Sequence, residues 1–213
     1  MSEKDEVLQQ INEIKNHLVD KEAFFPYNYN ACHSWSVIAV MITLIMIPAY
    51  EYSIRVGTVV MFALTALGFV IEGRLIKKEN ESYDIDECTK RQGFIMKNFL
   101  MISLFAIVLS TVLAMHQLYA VIYLLWLFLI SLGHFAVGFV LNIKDFTKMA
   151  QFNVLIAWVL LVLGAYFDLL SASSTSFVTL TQAVVIFGLA ILPSMVAIKQ
   201  QKGEQQRREA CSV

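Results

Sequence analysis

Six long apolar stretches separated by polar segments are the feature that most constrains the fold of this 213-residue chain. They cover residues 35–52, 56–76, 98–115, 118–141, 152–167 and 177–198. A helix of about 20 apolar residues crosses the roughly 30 Å hydrocarbon core of a bilayer. Hydrophobic residues make up 58% of the chain, too many for one small soluble core to bury. The sequence therefore predicts an all-α, polytopic integral membrane protein with six transmembrane helices.

The basic residues predict which side of the membrane each polar segment occupies. Fifteen of the 16 Lys and Arg residues fall in residues 1–34, 74–97, 142–151 and 199–213, whereas the alternate connectors contain only Arg55. Basic residues concentrate in cytoplasmic segments, so both termini are expected in the cytoplasm. The first 30 residues lack the basic and apolar regions of a cleavable signal peptide. We expect a multi-pass protein of the inner (plasma) membrane, in contact with the lipid bilayer and without a nucleic-acid partner.

Three regions are predicted: a cytoplasmic helix and linker (1–34), the transmembrane domain (35–198) and a polar cytoplasmic tail (199–213). The first region contains an apolar stripe at helical spacing, formed by Val7, Ile11, Ile14 and Leu18. Residues 1–22 carry six acidic and three basic side chains, a balance that anionic lipid headgroups would repel. The stripe is therefore predicted to pack on the protein's own loops, on a protein partner or on a second copy, through residues 2–22.

A weak internal repeat marks the ends of the second, fourth and sixth apolar stretches. Glycines share one register there, and small or helix-breaking residues follow five positions later: Gly68, Gly133 and Gly188, then Gly73, Gly138 and Pro193. Genuine triplication predicts three consecutive helical hairpins, whereas similar constraints on three membrane-exiting helices would produce the same pattern. Pro193 lacks a backbone N–H, so it is predicted to kink the sixth helix.

Two ionisable residues lie within the apolar stretches and are the candidate site residues. Glu72 and His134 both fall in the inner half of the predicted membrane, at depths of about 8 Å and about 15 Å. They could form a carboxylate–imidazole pair on a proton or cation path. Alternatively, Glu72 snorkels towards the membrane interface or pairs with Arg74 or another basic group, and a neutral His134 hydrogen-bonds to a Ser, Thr or backbone carbonyl across a helix interface.

Aromatic residues near the predicted helix ends fit interface belts, with Trp35 on the inner side and Tyr50, Tyr119 and Tyr123 among those on the outer side. The acidic connector 77–97 lacks the spacing of a calcium-binding loop and is predicted to form a solvated turn.

Neither metal ligation, a cofactor nor a catalytic motif is indicated. The three cysteines, Cys32, Cys88 and Cys211, match no zinc spacing, and their predicted cytoplasmic location disfavours disulfides. His134 has no histidine at matching depth that would complete a bis-histidine haem site. The predicted function is therefore non-catalytic: an accessory, scaffold or sensor component that binds a cytoplasmic partner. The alternative is a small transporter or channel for a proton-coupled or apolar solute, using Glu72 and His134.

Overall fold

The computed structural model describes residues 27–171 and 174–211, with side chains as far as Gly203. The elements in these ranges are helical. They are α1 (Asn30–Tyr52), α2 (Ile54–Ser82), α3 (Lys90–Met115), α4 (Tyr119–Val140), α5 (Lys144–Tyr166), α6 (Thr175–Ile186), a π-helical segment (Phe187–Ile191) and α7 (Leu192–Cys211). The last three follow one another without a break. The predicted amphipathic helix over residues 2–22 lies outside the described residues.

Within the described ranges, six helices are long and apolar enough to cross a membrane, which confirms the prediction of an all-helical protein with six candidate spans. Their surfaces carry many large apolar side chains that are more than half exposed, including Val37, Val59, Val108, Trp158 and Met195. A soluble monomer rarely exposes so much apolar surface, whereas lipid contact stabilises it. These features indicate a multi-pass membrane protein.

Every span except α4, which ends at Val140, extends beyond its apolar stretch at one end of the bundle. This end, called the basic end below, contains the start of α1, the α2–α3 and α4–α5 connections and the end of the sixth span. There α2 continues to Ser82, α3 begins at Lys90, and α5 begins at Lys144 instead of residue 152. The connector predicted over residues 77–97 is therefore reduced to residues 83–89. Lys, Glu and Gln favour helix, so charged residues alone do not end one.

The short α2–α3 connection is held by paired side-chain amides. Asn80 Nδ2 donates to Gln92 Oε1 (3.2 Å), and Gln92 Nε2 donates to Asn80 Oδ1 (2.8 Å). Thr89 and Gln92 also form a capping box, which satisfies free backbone N–H groups at the start of α3. The acidic residues Asp84 and Asp86 lie in this turn, but helical structure on both sides makes it much tighter than the sequence predicted.

Four helices end in the same way. In the described part of the chain, the non-glycine residues with positive φ are Asp84, Gln117, Asn142 and Asp168, one after each of α2 to α5. The N–H of the next residue, always Ile or Leu, bonds back to the carbonyl five residues earlier; Leu118 N to Leu113 O (3.0 Å) is one example. This is the Schellman arrangement, in which an apolar residue after the left-handed position covers the helix end.

Neighbouring spans approach closely at the three glycines of the repeat register. A Cβ atom added at these positions would lie within 2.5–2.9 Å of a side chain on the preceding span: Gly68 against Trp35, Gly133 against Phe99 and Gly188 against Asn153. Small residues permit such close packing between membrane helices. These contacts bring Trp35 and Phe99 into the interior of the bundle.

The prediction of an aromatic belt is wrong for three of the tyrosines. Tyr50, Tyr119 and Tyr123 are buried, the last of them completely. Tyr123 Oη donates to the carbonyl oxygen of Thr43 (2.8 Å), and Gln182 Nε2 donates to the same oxygen (3.0 Å). Because the Tyr123 hydroxyl group has a hydrogen-bond partner inside the protein, it does not need one among water molecules or lipid headgroups at the membrane interface.

Candidate functional site

A partly enclosed cavity of about 80 Å³ lies between α1, α2, α3, α4 and the π-helical part of the sixth span. Most of its wall is apolar or aromatic, and the polar side chains that line it are Tyr27, Cys32, Glu72, Ser103 and His134. A cavity of this volume has room for several water molecules. An apolar pocket with a few converging polar groups is the usual form of a small-molecule site. It is called the central cavity below.

Glu72 is brought into this cavity by α2 and held there by Trp35 of α1. The carboxyl group is buried (9% exposed), and its Oε2 accepts a hydrogen bond from Trp35 Nε1 at 3.0 Å. The indole packs on Gly68, where a Cβ atom would lie 2.5 Å from the ring. Glycine at this position therefore lets the indole lie close to α2, one helical turn from the carboxyl group that it contacts.

The carboxyl group of Glu72 has little electrostatic compensation. Among the described residues, no Lys or Arg forms an ion pair with it, and no donor reaches its Oε1. The neighbouring Arg74 is exposed to the surroundings. The predicted alternative in which Arg74 neutralises Glu72 is therefore not observed. An ionised carboxylate in apolar surroundings is costly unless a cation or several hydrogen bonds stabilise it.

His134 reaches the same cavity from α4. Its Nδ1 lies 3.1 Å from the carbonyl oxygen of Ile130, one turn earlier in the helix. A carbonyl can only accept, so Nδ1 donates and the neutral ring keeps Nε2 as an acceptor. The ring stacks parallel to Phe146 (6.1 Å between centroids) and meets Phe99 edge-on (5.6 Å). These rings fix the plane of the imidazole.

The structure therefore brings the two candidate site residues to one cavity without joining them. Glu72 bonds to Trp35 and His134 bonds to a backbone carbonyl, and no hydrogen bond between Glu72 and His134 occurs among those described. Ser103 of α3, buried at 3% exposure, adds a hydroxyl group to the same wall. Any direct coupling between the carboxyl group and the imidazole would need water or a ligand between them.

The part of the sixth span that lines the cavity includes the π-helical segment. Pro193 was predicted to disturb this helix, and the π-helical segment ends just before it, with Leu189 and Pro193 both lining the cavity. Two carbonyl groups of the segment accept hydrogen bonds from side chains of other spans. Asn153 Nδ2 donates to Gly188 O (2.9 Å), and Ser36 Oγ is 2.8 Å from Ala190 O. Side-chain donors of this kind satisfy irregular backbone within a membrane.

The cavity begins at the basic end and stops near the middle of the bundle. At the basic end, Tyr27 Oη and Cys32 Sγ are hydrogen-bonded (3.1 Å), and burial raises the pKa of the Tyr27 phenol well above its usual value. From Cys32 the α1 wall continues to Ile42, a distance of about 15 Å along the helix. Beyond it, Met46, Met61 and Tyr123 are almost completely buried in the core.

Sequence reasoning missed three residues of this site. Trp35 was predicted to lie at the interface because of its position near a helix end. Ser36 and Asn153 were not singled out at all, since an isolated Ser or Asn in an apolar stretch gives no sign of which helix it will face. The weak internal repeat gave an indirect indication of two of these residues. Its three glycines at equivalent positions lie against Trp35, Phe99 and Asn153. The predicted partner-binding residues Val7, Ile11, Ile14 and Leu18 lie outside the described residues.

Comparison with protein-family models, with curated proteins and with solved structures gives no match for this chain. In the part of the chain that the structure describes, no group of three His, Cys, Asp or Glu side chains is arranged to hold a metal ion. The described cysteines, Cys32 and Cys88, are free thiols.

Proposed function

We propose that the protein binds a small, largely apolar solute in the central cavity and moves it across the membrane. The observation that carries this proposal is that Glu72 and His134, from two different spans, line one cavity whose other walls are mainly apolar. Ionisable groups inside a membrane are costly and usually mark the path of a solute, ion or proton. The sequence predicted transport as the alternative to an accessory, scaffold or sensor function, and the central cavity now provides a candidate binding site for the solute.

The shape of the cavity favours a carrier over an open channel. Its α1 wall extends over about 15 Å, half of a hydrocarbon core of about 30 Å, and side chains of the core pack tightly beyond it. A site that extends from one end of the bundle to near the membrane midplane suits alternating access. The π-helical segment is the proposed moving element, because its backbone can change between π and α hydrogen bonding next to the cavity wall.

We further propose that the basic end faces the cytoplasm of a cell with the protein in its inner membrane. Support comes from the charge distribution: the described basic residues, apart from Arg55, lie in segments at this end. We also retain the three-hairpin arrangement as a proposal. Gly68 and Gly133 each lie close to the preceding span alone, and Gly188 lies close both to the preceding span and to Leu127 of α4; these approaches support the proposal. A reporter enzyme that works only outside the cytoplasm should be inactive when it is fused to the C-terminus.

The solute-binding proposal is tested by filling the cavity. Ala39 lines it, whereas Ala66 on α2 is exposed on the outer surface of the bundle. Ala39→Phe should abolish the binding of small apolar solutes such as 1-butanol to protein in lipid nanodiscs, measured by calorimetry against empty nanodiscs. Ala66→Phe is the matched control and should bind as the wild type does. Equal binding by the two variants would place the solute elsewhere and reject the proposal.

The transport part is tested separately in vesicles. Glu72→Gln and His134→Ala should change solute uptake or proton flux in proteoliposomes while leaving expression intact. Glu51→Gln provides the matched control, because Glu51 is exposed at the end of α1 away from the cavity. If the flux of both cavity variants equals that of the wild type, the cavity does not serve transport.

The accessory or scaffold function stays a second proposal, with a partner or a second copy bound through residues 2–22. The contacts of the described residues neither add to it nor oppose it, since these residues lie outside the described range. The two proposals are compatible, because the central cavity and residues 2–22 occupy different parts of the chain.

A further inference from the structure

The formal charge that the described residues can place on the walls of the central cavity is negative. Among the described residues that line it, Glu72 is the acidic residue, and there is no Lys or Arg. A negatively charged ligand would therefore enter without a counter-charge and next to a carboxyl group. Such an arrangement opposes anions and favours a ligand that brings positive charge to Glu72.

Two free polar atoms of the wall are acceptors, and the Ser103 hydroxyl on the same wall can donate or accept. Glu72 Oε1 receives no hydrogen bond from any described residue, because Trp35 bonds to the other oxygen. His134 uses Nδ1 as a donor to Ile130 and so offers Nε2 as an acceptor in the neutral ring. A ligand that donates N–H groups matches both atoms, whereas a ligand that only accepts leaves them unpaired.

The remaining surface suits a cation with a hydrocarbon part. Trp35, Phe99 and Trp126 line the cavity, and the electron-rich faces of aromatic rings attract cations. Ala39, Ile42 and Ile130 provide purely apolar contacts. The polar and aromatic groups thus favour one ammonium group, and the aliphatic wall favours a small apolar remainder.

We propose that the ligand of the central cavity is a small lipophilic primary or secondary ammonium ion. Its N–H groups donate to Glu72 and His134, and its hydrocarbon part contacts the apolar wall. This inference rests on the proposed function, because it names the class of solute for the same cavity. It also gives Glu72 a positively charged partner that the described residues of the chain do not supply.

The test compares four probes of similar size on wild-type protein in nanodiscs, by calorimetry against empty nanodiscs. They are butylammonium, tetramethylammonium, neutral 1-butanol and anionic propanoate, which have the same number of non-hydrogen atoms and suit a cavity of about 80 Å³. The primary ammonium probe should bind about tenfold or more tightly than the alcohol, because its hydrogen bond to a carboxylate is charge-assisted. The tetramethylammonium probe should bind more weakly than the primary one since it has no N–H donor. The carboxylate probe should show no measurable binding.

Two variants then show whether Glu72 causes the preference for the ammonium probe over the alcohol. Glu72→Gln keeps an oxygen acceptor for Trp35 but removes the charge, so the advantage of the ammonium probe over the alcohol should fall to about threefold or less. Glu51→Gln should keep the full advantage. Because the wild-type comparison alone measures the preference, the proposal is decided even if Glu72→Gln fails to fold.

Equal or tighter binding of the alcohol would overturn the ammonium proposal. If Ala39→Phe then removed the alcohol binding, the proposed function would stand with a neutral solute. Equal binding of the tetramethylammonium and primary ammonium probes would contradict the N–H donation. Absence of binding by all four probes would overturn the ammonium proposal, and the vesicle flux of Glu72→Gln would then decide the proposed function independently.

Discussion

The hydrogen bond from Trp35 to Glu72 should contribute measurably to the stability of the bundle. Trp35→Phe keeps an aromatic ring beside Gly68 but removes the Nε1 donor, which leaves the buried carboxyl group without a hydrogen-bond donor among the described residues. Leaving a buried polar group without its hydrogen-bond partner costs about 1–3 kcal/mol. For a chain of this length, each kcal/mol corresponds to roughly 2–4 °C in Tm. A loss of about 2 kcal/mol therefore predicts a Tm lower by about 6 °C.

The assay is thermal unfolding in detergent, followed by far-UV circular dichroism so that tryptophan removal does not change the signal. Two matched tryptophans provide controls. Trp126 Nε1 donates to Ser110 Oγ, a neutral acceptor that keeps its own bond to Ala106 O, so Trp126→Phe should cost only about 1 kcal/mol. Trp158 is 62% exposed on the outer surface, and Trp158→Phe should leave Tm almost unchanged.

A double variant separates the hydrogen bond from simple loss of packing. Trp35→Phe combined with Glu72→Leu removes both partners, so no unpaired polar group remains in the apolar wall. Replacing both partners is much less costly than removing one. The double variant should therefore unfold at a higher temperature than Trp35→Phe alone. A Tm equal to or below that of the single variant would refute the argument that a buried, unpaired carboxyl group determines the cost.

Three further predictions concern other parts of the chain. Gln117 has a φ of 56°, a backbone conformation that favours glycine. Gln117→Gly should therefore raise the free energy of unfolding by about 0.5–1 kcal/mol, seen as a higher Tm. A lower Tm would contradict the role of backbone strain at this position. Asn153→Leu leaves Gly188 O without its side-chain donor and should cost about 1–3 kcal/mol, with exposed Gln151→Leu as the control in the same melting experiment. Replacing the apolar stripe with Ser should abolish co-purification of a partner or a second copy, and unchanged association would reject the partner-binding prediction; the stripe residues are Val7, Ile11, Ile14 and Leu18.

The apolar stretches predicted the spans well at the end of the bundle away from the basic end. The first predicted stretch and α1 both end at Tyr52, and the third and α3 both end at Met115. At the basic end the predictions were too short for every span except the fourth, because hydropathy falls where Lys and Glu begin while the helix continues. Lys90 and Lys144 begin helices there, and the actual stops depend on hydrogen bonds such as the Thr89 capping box, which average hydropathy does not describe.

For the candidate site, the sequence singled out Glu72 and His134 because a charged or ionisable group in an apolar stretch is conspicuous. It could not show that they line the same cavity, nor that Trp35 is the hydrogen-bond partner of Glu72. Trp35 was misplaced because a tryptophan near a helix end is typical of a membrane interface. Its actual orientation depends on close packing against Gly68, a contact between residues far apart in the chain.

The sequence by itself determined that this chain forms six apolar helices suited to a bilayer, because the cost of placing each stretch in lipid depends on local composition. Only the tertiary structure decided which polar groups meet. The rotation of each helix about its axis is set by side-chain packing against its neighbours, and a rotation of one residue would turn Glu72 or His134 away from the cavity. The central cavity is thus a product of helix packing, and no single stretch of the sequence contains it.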